Sequence, residues 1–366
     1  MKKLLALAAV ASTVAMNSCD GVLESEPFSP TPPPAATIPP DPAVPMQFYF
    51  GNLHSHTGYS DGEGTPDEAF DWARYTAGYD FYAITDHAEQ ISSSEWSSTG
   101  NSADVKNADG QFVALRGFEW SNPEFGHINV LNTSSYTGAA DTYDPDDFYA
   151  WIDNNNGLAQ FNHPGREADV FQDFAYLAKA YDNFFAVETG NKGSGNNNGE
   201  YVPYFTTALG SGWRVAPTNN QDNHSLSTNS HRSVIIAAEL TRAALLEAIR
   251  ERRLYSSDDP NMKLTFKSDD YWMGSNIVST PGVYSFDVTV VDDEPIAKIE
   301  FLNKAGAVLD SYVPAAGQTS ASATFQVNVT AYDCFYAKVY EDDSNNDDPG
   351  YAQQITISAP IWVYPQ

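Results

Sequence analysis

The chain has 366 residues, with 48 acidic against 19 basic side chains and a formal net charge of −29 at pH 7. Such an acidic surface repels nucleic-acid phosphates and anionic lipid headgroups, so no nucleic-acid partner is expected. The length suggests two domains, and with only two cysteines in the sequence a large core, not a set of disulfides, must stabilise them.

The first residues have the pattern of an export signal. Met1-Lys2-Lys3 precedes an apolar stretch up to Ala15, about the length of a signal-peptide core and too short to span a bilayer. Met16-Asn17-Ser18-Cys19 then resembles the bacterial lipoprotein box. We predict a signal peptide over residues 1–18 and lipid on Cys19, giving an exported, membrane-anchored protein that faces the periplasm or the cell surface. Cleavage near Ser18 with an unmodified cysteine is the alternative.

Residues 19–46 are predicted to form a tether, because prolines recur among Ser, Thr and Ala from Pro27 to Pro45. The composition turns aromatic and apolar at Phe48, and from there to about Asn261 short apolar runs alternate with helical patterns. This alternation predicts an α/β domain with a mainly parallel sheet over residues 47–262.

One unit of this domain shows the alternation clearly. Thr65-Pro66-Asp67-Glu68 has the pattern of a capping box with proline at the first helical position, and Gly78 is expected to end the helix. Phe81-Tyr82-Ala83-Ile84 then reads as a buried strand that ends at Asp86 and His87. Other predicted strands end in the same way: Phe48–Asn52 before His54, Phe112–Leu115 before Glu119, Leu158–Phe161 before His163, and Arg214–Pro217 before Asp222. Reactive side chains at the carboxyl ends of successive strands suit a barrel-type α/β enzyme.

After a helix predicted from Thr241 to about Arg253, the pattern changes. Apolar residues alternate with polar ones in three later runs: Tyr284 to Val290, Ala323 to Val329, and Phe335 to Val339. Period-two runs separated by turns predict a smaller β-sandwich-like domain over residues 263–366.

Six of the seven histidines fall in short motifs that together suggest one metal site. His54 and His56 are two apart, so in a strand they face the same side and can bind one ion, and Asp222 and His224 share that spacing. The remaining candidates follow in chain order: Asp61 in Ser60-Asp61-Gly62, His87 in Asp86-His87, Glu119 in Phe118-Glu119, His127 in Gly126-His127, and His163 in Asn162-His163-Pro164. Imidazoles and carboxylates suit zinc, manganese or iron. A lone His-X-His is weak evidence, but the ordered set favours a metal centre.

These motifs, over roughly Phe48 to Asp259, resemble the polymerase and histidinol phosphatase (PHP) superfamily of metal-dependent hydrolases, and most of all the branch that includes carbaryl hydrolase. The resemblance implies a distorted (β/α)7 barrel with two or three divalent metal ions. By position it implies three ligand groups: His54, His56 and Asp222 for the first ion, bridged by Glu119 to the second; His127 and His163 for the second; and Asp61, His87 and His224 for a third.

Such a centre predicts hydrolysis, because divalent ions lower the pKa of a bound water and stabilise negative charge in the transition state. Three carboxylates and a hydroxide do not cancel the charge of three divalent ions, so the pocket stays positive and favours an anionic substrate. We predict a phosphoesterase for small phosphate esters, with Glu119 and Asp222 in its catalytic centre. Arg166 is predicted either to bind a phosphate oxygen or to form a surface ion pair with Glu167 or Asp169.

Two other functions stay open. The same metal centre could attack a carbamate, an amide or a carboxylic ester, in which case an apolar pocket is expected. Alternatively, the protein is a non-catalytic surface lipoprotein whose sandwich recognises a glycan or a partner protein. A freely linked sandwich with exposed aromatic residues would favour that reading, whereas a sandwich packed tightly against the barrel would indicate a structural role.

Four further features carry narrower hypotheses. Asp86 is expected to orient His87 or to serve as a cap, and His231 is expected to be structural. The Gly- and Asn-rich segment Asn191–Asn198 suggests a flexible loop, and possible lid, near the mouth of the barrel. The acidic run Glu341–Asp348 lacks the spacing of a known calcium loop, so a solvated hairpin tip is favoured over calcium chelation.

Overall fold

The computed structural model describes residues 35–41, 43–166, 171–175, 180–192, 198–342 and 353–366. The predicted signal peptide, Cys19 and much of the predicted tether lie outside these ranges. Among the described residues, no helix has the length and apolar character needed to cross a membrane.

The first part of the described chain alternates strands with helices, as the sequence predicts. Its strands are β1 (Gln47–Asn52), β2 (Phe81–Ile84), β3 (Val113–Asn122), β4 (Gly126–Leu131), β5 (Leu158–Phe161), β6 (Phe184–Asn191), β7 (Ala216–Asn220), β8 (Arg232–Ala237) and β9 (Leu254–Ser257). Its helices are α1 (Pro66–Tyr75), α2 (Ser93–Lys106), α3 (Pro145–Asn154), the single turn α4 (Phe171–Phe174), α5 (Val202–Ser211) and α6 (Arg242–Arg250).

These strands lie side by side in the order β9-β8-β1-β2-β3-β4-β5-β6-β7. The pairs β1–β2, β2–β3, β5–β6 and β6–β7 are parallel. The row of strands curves so that β7, at one end, lies beside β8 and β9 at the other end. The Asn219 N–H on β7 donates to the Ser233 hydroxyl on β8, and the Asn219 side-chain amide donates to the Ser257 carbonyl on β9. Side chains therefore join the two ends of the row into a distorted barrel, and the predicted α/β fold is confirmed.

Helix α1 shows why the local sequence folds as it does. The Thr65 hydroxyl accepts from the Glu68 N–H, and the Glu68 carboxylate accepts from the Thr65 N–H, so the predicted capping box is present. Such a cap contributes about 1 kcal/mol. The helix ends at Tyr75, before Gly78, and buries Phe70 and Ala73 against the outside of the sheet.

Two predicted strands have different bounds in the structure. The strand predicted over Phe112–Leu115 continues to Asn122, because β3 and β4 form an antiparallel hairpin whose ladder pairs Glu119 with Asn129. The strand predicted over Arg214–Pro217 instead spans Ala216–Asn220. Asparagine is uncommon in strands, but in the barrel interior the amides of Asn219 and Asn220 donate to the buried carboxylates of Asp258 and Glu188.

The C-terminal part is mainly antiparallel β-structure, as predicted. Its strands are β10 (Lys263–Ser268), β11 (Tyr271–Trp272), β12 (Asn276–Ser279), β13 (Gly282–Val291), β14 (Ile296–Asn303), β15 (Val308–Tyr312), β16 (Ser320–Val329), β17 (Asp333–Glu341), β18 (Gln354–Ser358) and β19 (Ile361–Pro365). Strands β11, β10, β13 and β16 form one sheet. The other strands form a second layer, and aromatic side chains such as Phe286, Phe301 and Phe335 pack between the two layers.

This second layer is continuous with the barrel sheet. Strand β18 pairs with β9, with Thr356 opposite Ser257 and Ser358 opposite Tyr255. Trp362 on β19 is fully buried, and so is Cys334. The backbone ladder between β18 and β9, together with buried aromatic residues such as Trp362, packs the C-terminal part tightly against the barrel. The boundary predicted between residues 262 and 263 falls in the connection between β9 and β10.

Candidate metal centre

The side chains predicted as metal ligands lie together at one end of the barrel. His54 and His56 directly follow β1, His87 follows β2, and His163 follows β5. The hairpin β3–β4 carries Glu119 and His127, and Asp222 and His224 follow β7. Because parallel strands present their carboxyl ends at the same edge, residues far apart in the sequence meet here.

Glu119 occupies the middle of this cluster and is 1% exposed. Its Oε1 lies 3.2 Å from His54 Nε2, 3.4 Å from His127 Nδ1 and 3.4 Å from His163 Nε2. Its Oε2 lies 2.9 Å from His87 Nδ1 and 3.5 Å from His56 Nε2. The Asn162 amide donates to Oε1 at 2.8 Å and fixes the carboxylate. Each oxygen therefore faces a different set of imidazoles, which is the arrangement of a bridging ligand.

Asp222 lies beside the first pair of histidines. Its Oδ1 is 3.2 Å from His56 Nε2 and 3.6 Å from His54 Nε2. Its Oδ2 faces two cations, Arg166 Nη1 at 2.9 Å and Lys192 Nζ at 3.4 Å. Arg166 also donates to the Asn191 side chain. The structure thus pairs Arg166 with Asp222 at the edge of the cluster. Glu167 and Asp169, the alternative partners, lie outside the described residues.

Asp61 lies on the solvent side of the site and is 47% exposed. Its Oδ1 lies 3.2 Å from His224 Nε2 and 3.5 Å from His87 Nε2. The loop that carries Asp61 folds back on itself, since the Gly62 N–H donates to the Thr57 carbonyl. A Cβ on Gly62 would lie 2.5 Å from the His56 carbonyl oxygen, so only glycine fits this crossing.

Within this centre, four sets of described side chains bring potential ligand atoms within 4.8 Å of one another: His54, His56 and Glu119; His54, His163 and Asp222; His87, Glu119 and His127; and His56, Asp61, His87 and His224. The last set contains the three residues predicted for a third ion. His127 and His163, which were predicted to share one ion, fall in different sets, but both lie 3.4 Å from Glu119 Oε1. How the ligands divide among ions stays a prediction.

The donor set fits divalent cations. The Nδ1 of His54 lies 3.0 Å from the Glu188 carboxylate and carries a proton, so in the neutral, metal-binding form of the ring Nε2 presents its lone pair to the cluster. The Nδ1 of His56 lies 3.4 Å from the Ser60 hydroxyl, which itself donates to Asp86. Both Nε2 atoms are then acceptors, and they face each other at 3.2 Å. A cation between them would satisfy both.

A hydrogen bond to the backbone also orients His224. Its Nδ1 lies 2.7 Å from the Asp222 carbonyl oxygen, which accepts the ring proton there. The Nε2 of His224 is then left as the atom that faces Asp61. Contacts of this kind fix the tautomer of a metal-binding histidine and its ring orientation.

The titratable groups of the centre strongly perturb one another. Burial by itself raises the pKa of Glu119, but His54, His127 and His163 outweigh burial and hold that pKa well below its usual range. The pKa of Asp222 is likewise well below its usual range, because His54 and His56 outweigh burial. Both carboxylates are therefore ionised at neutral pH, the form that binds a metal ion.

Backbone strain is concentrated in the same place. His163 has φ of 26° and Asp222 has φ of 47°, although neither residue is glycine. Such conformations cost on the order of 1–3 kcal/mol each and persist only where the surroundings enforce them. Here the Glu188 carboxylate accepts from the His163 N–H at 2.7 Å. The chain thus holds two predicted ligands in geometries that free peptides avoid.

Glu188 is a residue of this site that the sequence analysis missed. It lies in the middle of β6 and is fully buried. Its carboxylate accepts from side chains around the barrel axis and from one backbone N–H: His54 Nδ1, the His163 N–H, and the amides of Gln160, Asn191 and Asn220. The available signal was that this acidic residue directly follows the apolar run Phe184-Phe185-Ala186-Val187. A carboxylate in a buried strand is stable only where other groups donate hydrogen bonds to it.

Asp86 does not orient His87. Its carboxylate accepts from the Thr57 N–H at 2.6 Å, from the Thr57 hydroxyl at 2.8 Å and from the Ser60 hydroxyl at 2.6 Å. It therefore fixes the loop that follows His56, which is the capping alternative. His231 is fully buried and lies 3.2 Å from the Asn219 amide oxygen, a structural position as expected. Residues 193–197 of the predicted lid lie outside the described residues.

No protein-family model matches the sequence, and no curated protein matches it. A solved structure of a two-domain protein containing a predicted PHP-like metal-dependent phosphoesterase from Bacteroides vulgatus is similar, with 15% identity, a TM-score of 0.48, and coverage of 88% of this chain and 100% of that one. PsfC from Pseudomonas syringae is similar with 14% identity and a TM-score of 0.37, over 51% of this chain and 82% of that one. At these values neither likeness carries an argument about activity, which has to come from the site itself.

We expect Glu188→Gln to weaken metal binding by about 10- to 100-fold, because the neutral amide no longer fixes the His54 tautomer. The measurement is a competition titration of zinc against a chromophoric chelator. Glu247→Gln, an exposed change on α6, is the matched control and should bind zinc as the wild type does. Equal affinity in Glu188→Gln and the control would show that Glu188 does not position the ligands.

Proposed function

We propose that this protein is a metal-dependent hydrolase of the PHP type. The observation that carries the proposal is the Glu119 carboxylate, whose two oxygens face separate groups of imidazoles within 3.5 Å. A buried carboxylate placed in this way can bridge two divalent ions, and a structural site of a single ion has no use for so many donors. Zinc, manganese or iron fits this set of imidazole and carboxylate ligands.

The residues of the chain have separable roles in this proposal. The ions would be held around Glu119 by the other predicted ligands: His54, His56, Asp61, His87, His127, His163, Asp222 and His224. Bound divalent ions supply an activated water and stabilise the charge that develops in the transition state. Glu188 holds His54 and His163 in place, Asn162 holds Glu119, and the half-exposed Asp61 marks the side of the centre from which a substrate would approach.

The surroundings of the centre favour an anionic substrate, and we propose small phosphate esters. A cavity of about 300 Å³ opens beside Asp222 and His224, and its lining consists of polar side chains, including Lys192, Asn223 and Ser225. Arg166 and Lys192 both reach this edge of the cluster. Two cations beside a polar cavity suit phosphate oxygens. The carbamate or carboxylic ester alternative calls for an apolar pocket, which this cavity does not provide.

The packing of the C-terminal part argues against the alternative that the protein is a non-catalytic lipoprotein that only binds a glycan or a partner protein. The ladder between β18 and β9 joins it to the barrel, and its large aromatic side chains are mostly buried. Its role in the proposal is structural support of the barrel.

Glu119→Gln should lower turnover of p-nitrophenyl phosphate by at least about 100-fold, because a neutral amide cannot bridge two cations. Activity is measured after loading with zinc, manganese or iron, and metal content is measured on the same samples. Circular dichroism should show that the variant stays folded. Full activity in Glu119→Gln would contradict the proposed mechanism.

Arg166→Gln should distinguish phosphate from carbonyl chemistry. We expect KM for p-nitrophenyl phosphate to rise by about 10-fold, the effect of losing one charge-assisted hydrogen bond. KM for the neutral substrate 1-naphthyl N-methylcarbamate should stay unchanged, and Lys192→Gln serves as the parallel variant on the same edge. A preference of the wild type for the carbamate, with no effect of either change on phosphate, would support the carbonyl alternative.

We also propose that the protein is exported and held on a membrane by lipid on Cys19. Cys19→Ser should move the full-length chain from the membrane fraction to the soluble fraction, because no lipid can then be attached. Fractionation with immunoblotting measures this. Continued membrane association of the variant would place the anchor elsewhere.

A further inference from the structure

Carboxylates also gather at the junction between the barrel and the C-terminal part. They come from three segments that are distant in the sequence: Asp259 in the connection after β9, Asp292, Asp293 and Glu294 in the turn between β13 and β14, and Glu341 at the end of β17. Asp259, Asp292 and Asp293 each place one carboxylate oxygen within 4.8 Å of the others. The set shares no residue with the centre around Glu119.

Glu341 is the clearest sign that this cluster has a ligand. The residue is fully buried, and among the described residues no N–H or hydroxyl group donates to either of its carboxylate oxygens, which lie beside the Asp292 carboxylate. Both carboxylate oxygens of Asp292 are also shielded from solvent and without a partner in the same described part. No lysine, arginine or histidine within those ranges forms an ion pair with Asp292 or Glu341.

Burying such groups together is costly unless a cation or a proton compensates. Burial, the adjacent Asp292 and the charges of Asp259 and Glu294 raise the pKa of Glu341 well above its usual value. A single shared proton would neutralise only one of these carboxylates. A divalent cation would offset two of their charges and give the oxygens of Glu341 and Asp292 a partner.

The loop around the cluster is already ordered. Asp259 Oδ1 accepts from the backbone N–H groups of Asn261 and Met262, and the Asn261 amide donates to Asp293 at 3.2 Å. These contacts hold Asp259 and Asp293 on the same side of the turn. An ion bound there would tie the end of the barrel sheet to β13 and β17.

We propose that Asp259, Asp292, Asp293 and Glu341 form a structural calcium site at this junction. The donors are all oxygen atoms, which hard cations prefer, whereas the imidazole-rich centre around Glu119 suits zinc, manganese or iron. The number of carboxylates and their origin in three segments fit the large, flexible coordination of calcium better than the strict octahedron of magnesium.

The test is calcium titration of the metal-loaded wild-type protein by calorimetry, with thermal unfolding measured on the same samples. We expect one calcium ion per chain and a rise in Tm of about 4 °C at 100-fold excess over Kd. Glu341→Gln and Asp292→Asn should each weaken calcium binding at least about 10-fold and lower the calcium-dependent rise in Tm, at the same calcium concentration, by about half or more. Asp270→Asn, an exposed change in the turn before β11, should bind as the wild type does.

Calcium-free samples show whether the variants are folded. Without calcium, Glu341→Gln should unfold at a temperature at least equal to that of the wild type, because the amide replaces a carboxylate whose ionised form is unfavourable there. Absence of calcium binding by the wild type would overturn the proposal. Calcium binding that persists in Glu341→Gln and Asp292→Asn but disappears in Glu119→Gln would also overturn it, since the ion would then occupy the other centre.

Discussion

The burial of Glu119 among imidazoles is the constraint on which the rest of this structure depends. A carboxylate without solvent is unfavourable by itself, and here positive partners surround it on both oxygens. Without metal, the imidazoles can compensate only by taking up protons. Asp222 and Glu119 outweigh burial and raise the pKa of His54 well above its usual value, whereas burial lowers the pKa of His56 and disfavours a second proton beside the first. Divalent cations resolve the conflict, because the same nitrogen and oxygen atoms then serve as ligands.

The barrel is built to keep these atoms in place. Strand ends supply most of the ligands. Strand β3 continues beyond the end of its parallel ladder with β2 at Arg116, because it pairs with β4 from there on, and Glu119 lies in this extension. Behind them, Glu188 anchors both His54 and the backbone of His163. In front, Asp86 fixes the loop that brings Asp61 to the open side. The strained backbone at His163 and Asp222 is the local cost of this arrangement.

The sequence predicted the elements whose signals are local. The capping box at Thr65 and the apolar run Phe81–Ile84 predicted α1 and β2 closely, because caps and buried strands depend on neighbouring residues. The extension of β3 to Asn122 could not be predicted, since it depends on pairing with β4. Glu188 was missed for the same reason: its partners outside β6 come from three other segments, and only the folded barrel brings them together.

The division of ligands among ions was equally beyond the sequence. Spacing brings His54 and His56 to one face, but it cannot show that one Glu119 oxygen lies beside His127 and His163 and the other beside His87. The continuity of the C-terminal layer with the barrel through β9 and β18 was also not visible, because a period-two pattern shows that a strand exists and not which strand it pairs with.

The most direct test of the central claim is the metal content of the purified protein, measured by plasma mass spectrometry alongside hydrolysis before and after removal of the metal with a chelator. The account predicts two to three transition-metal ions per chain, loss of turnover on chelation, and recovery when zinc, manganese or iron is returned. Less than one such ion per chain, with no gain of activity after any of these metals is added, would contradict it.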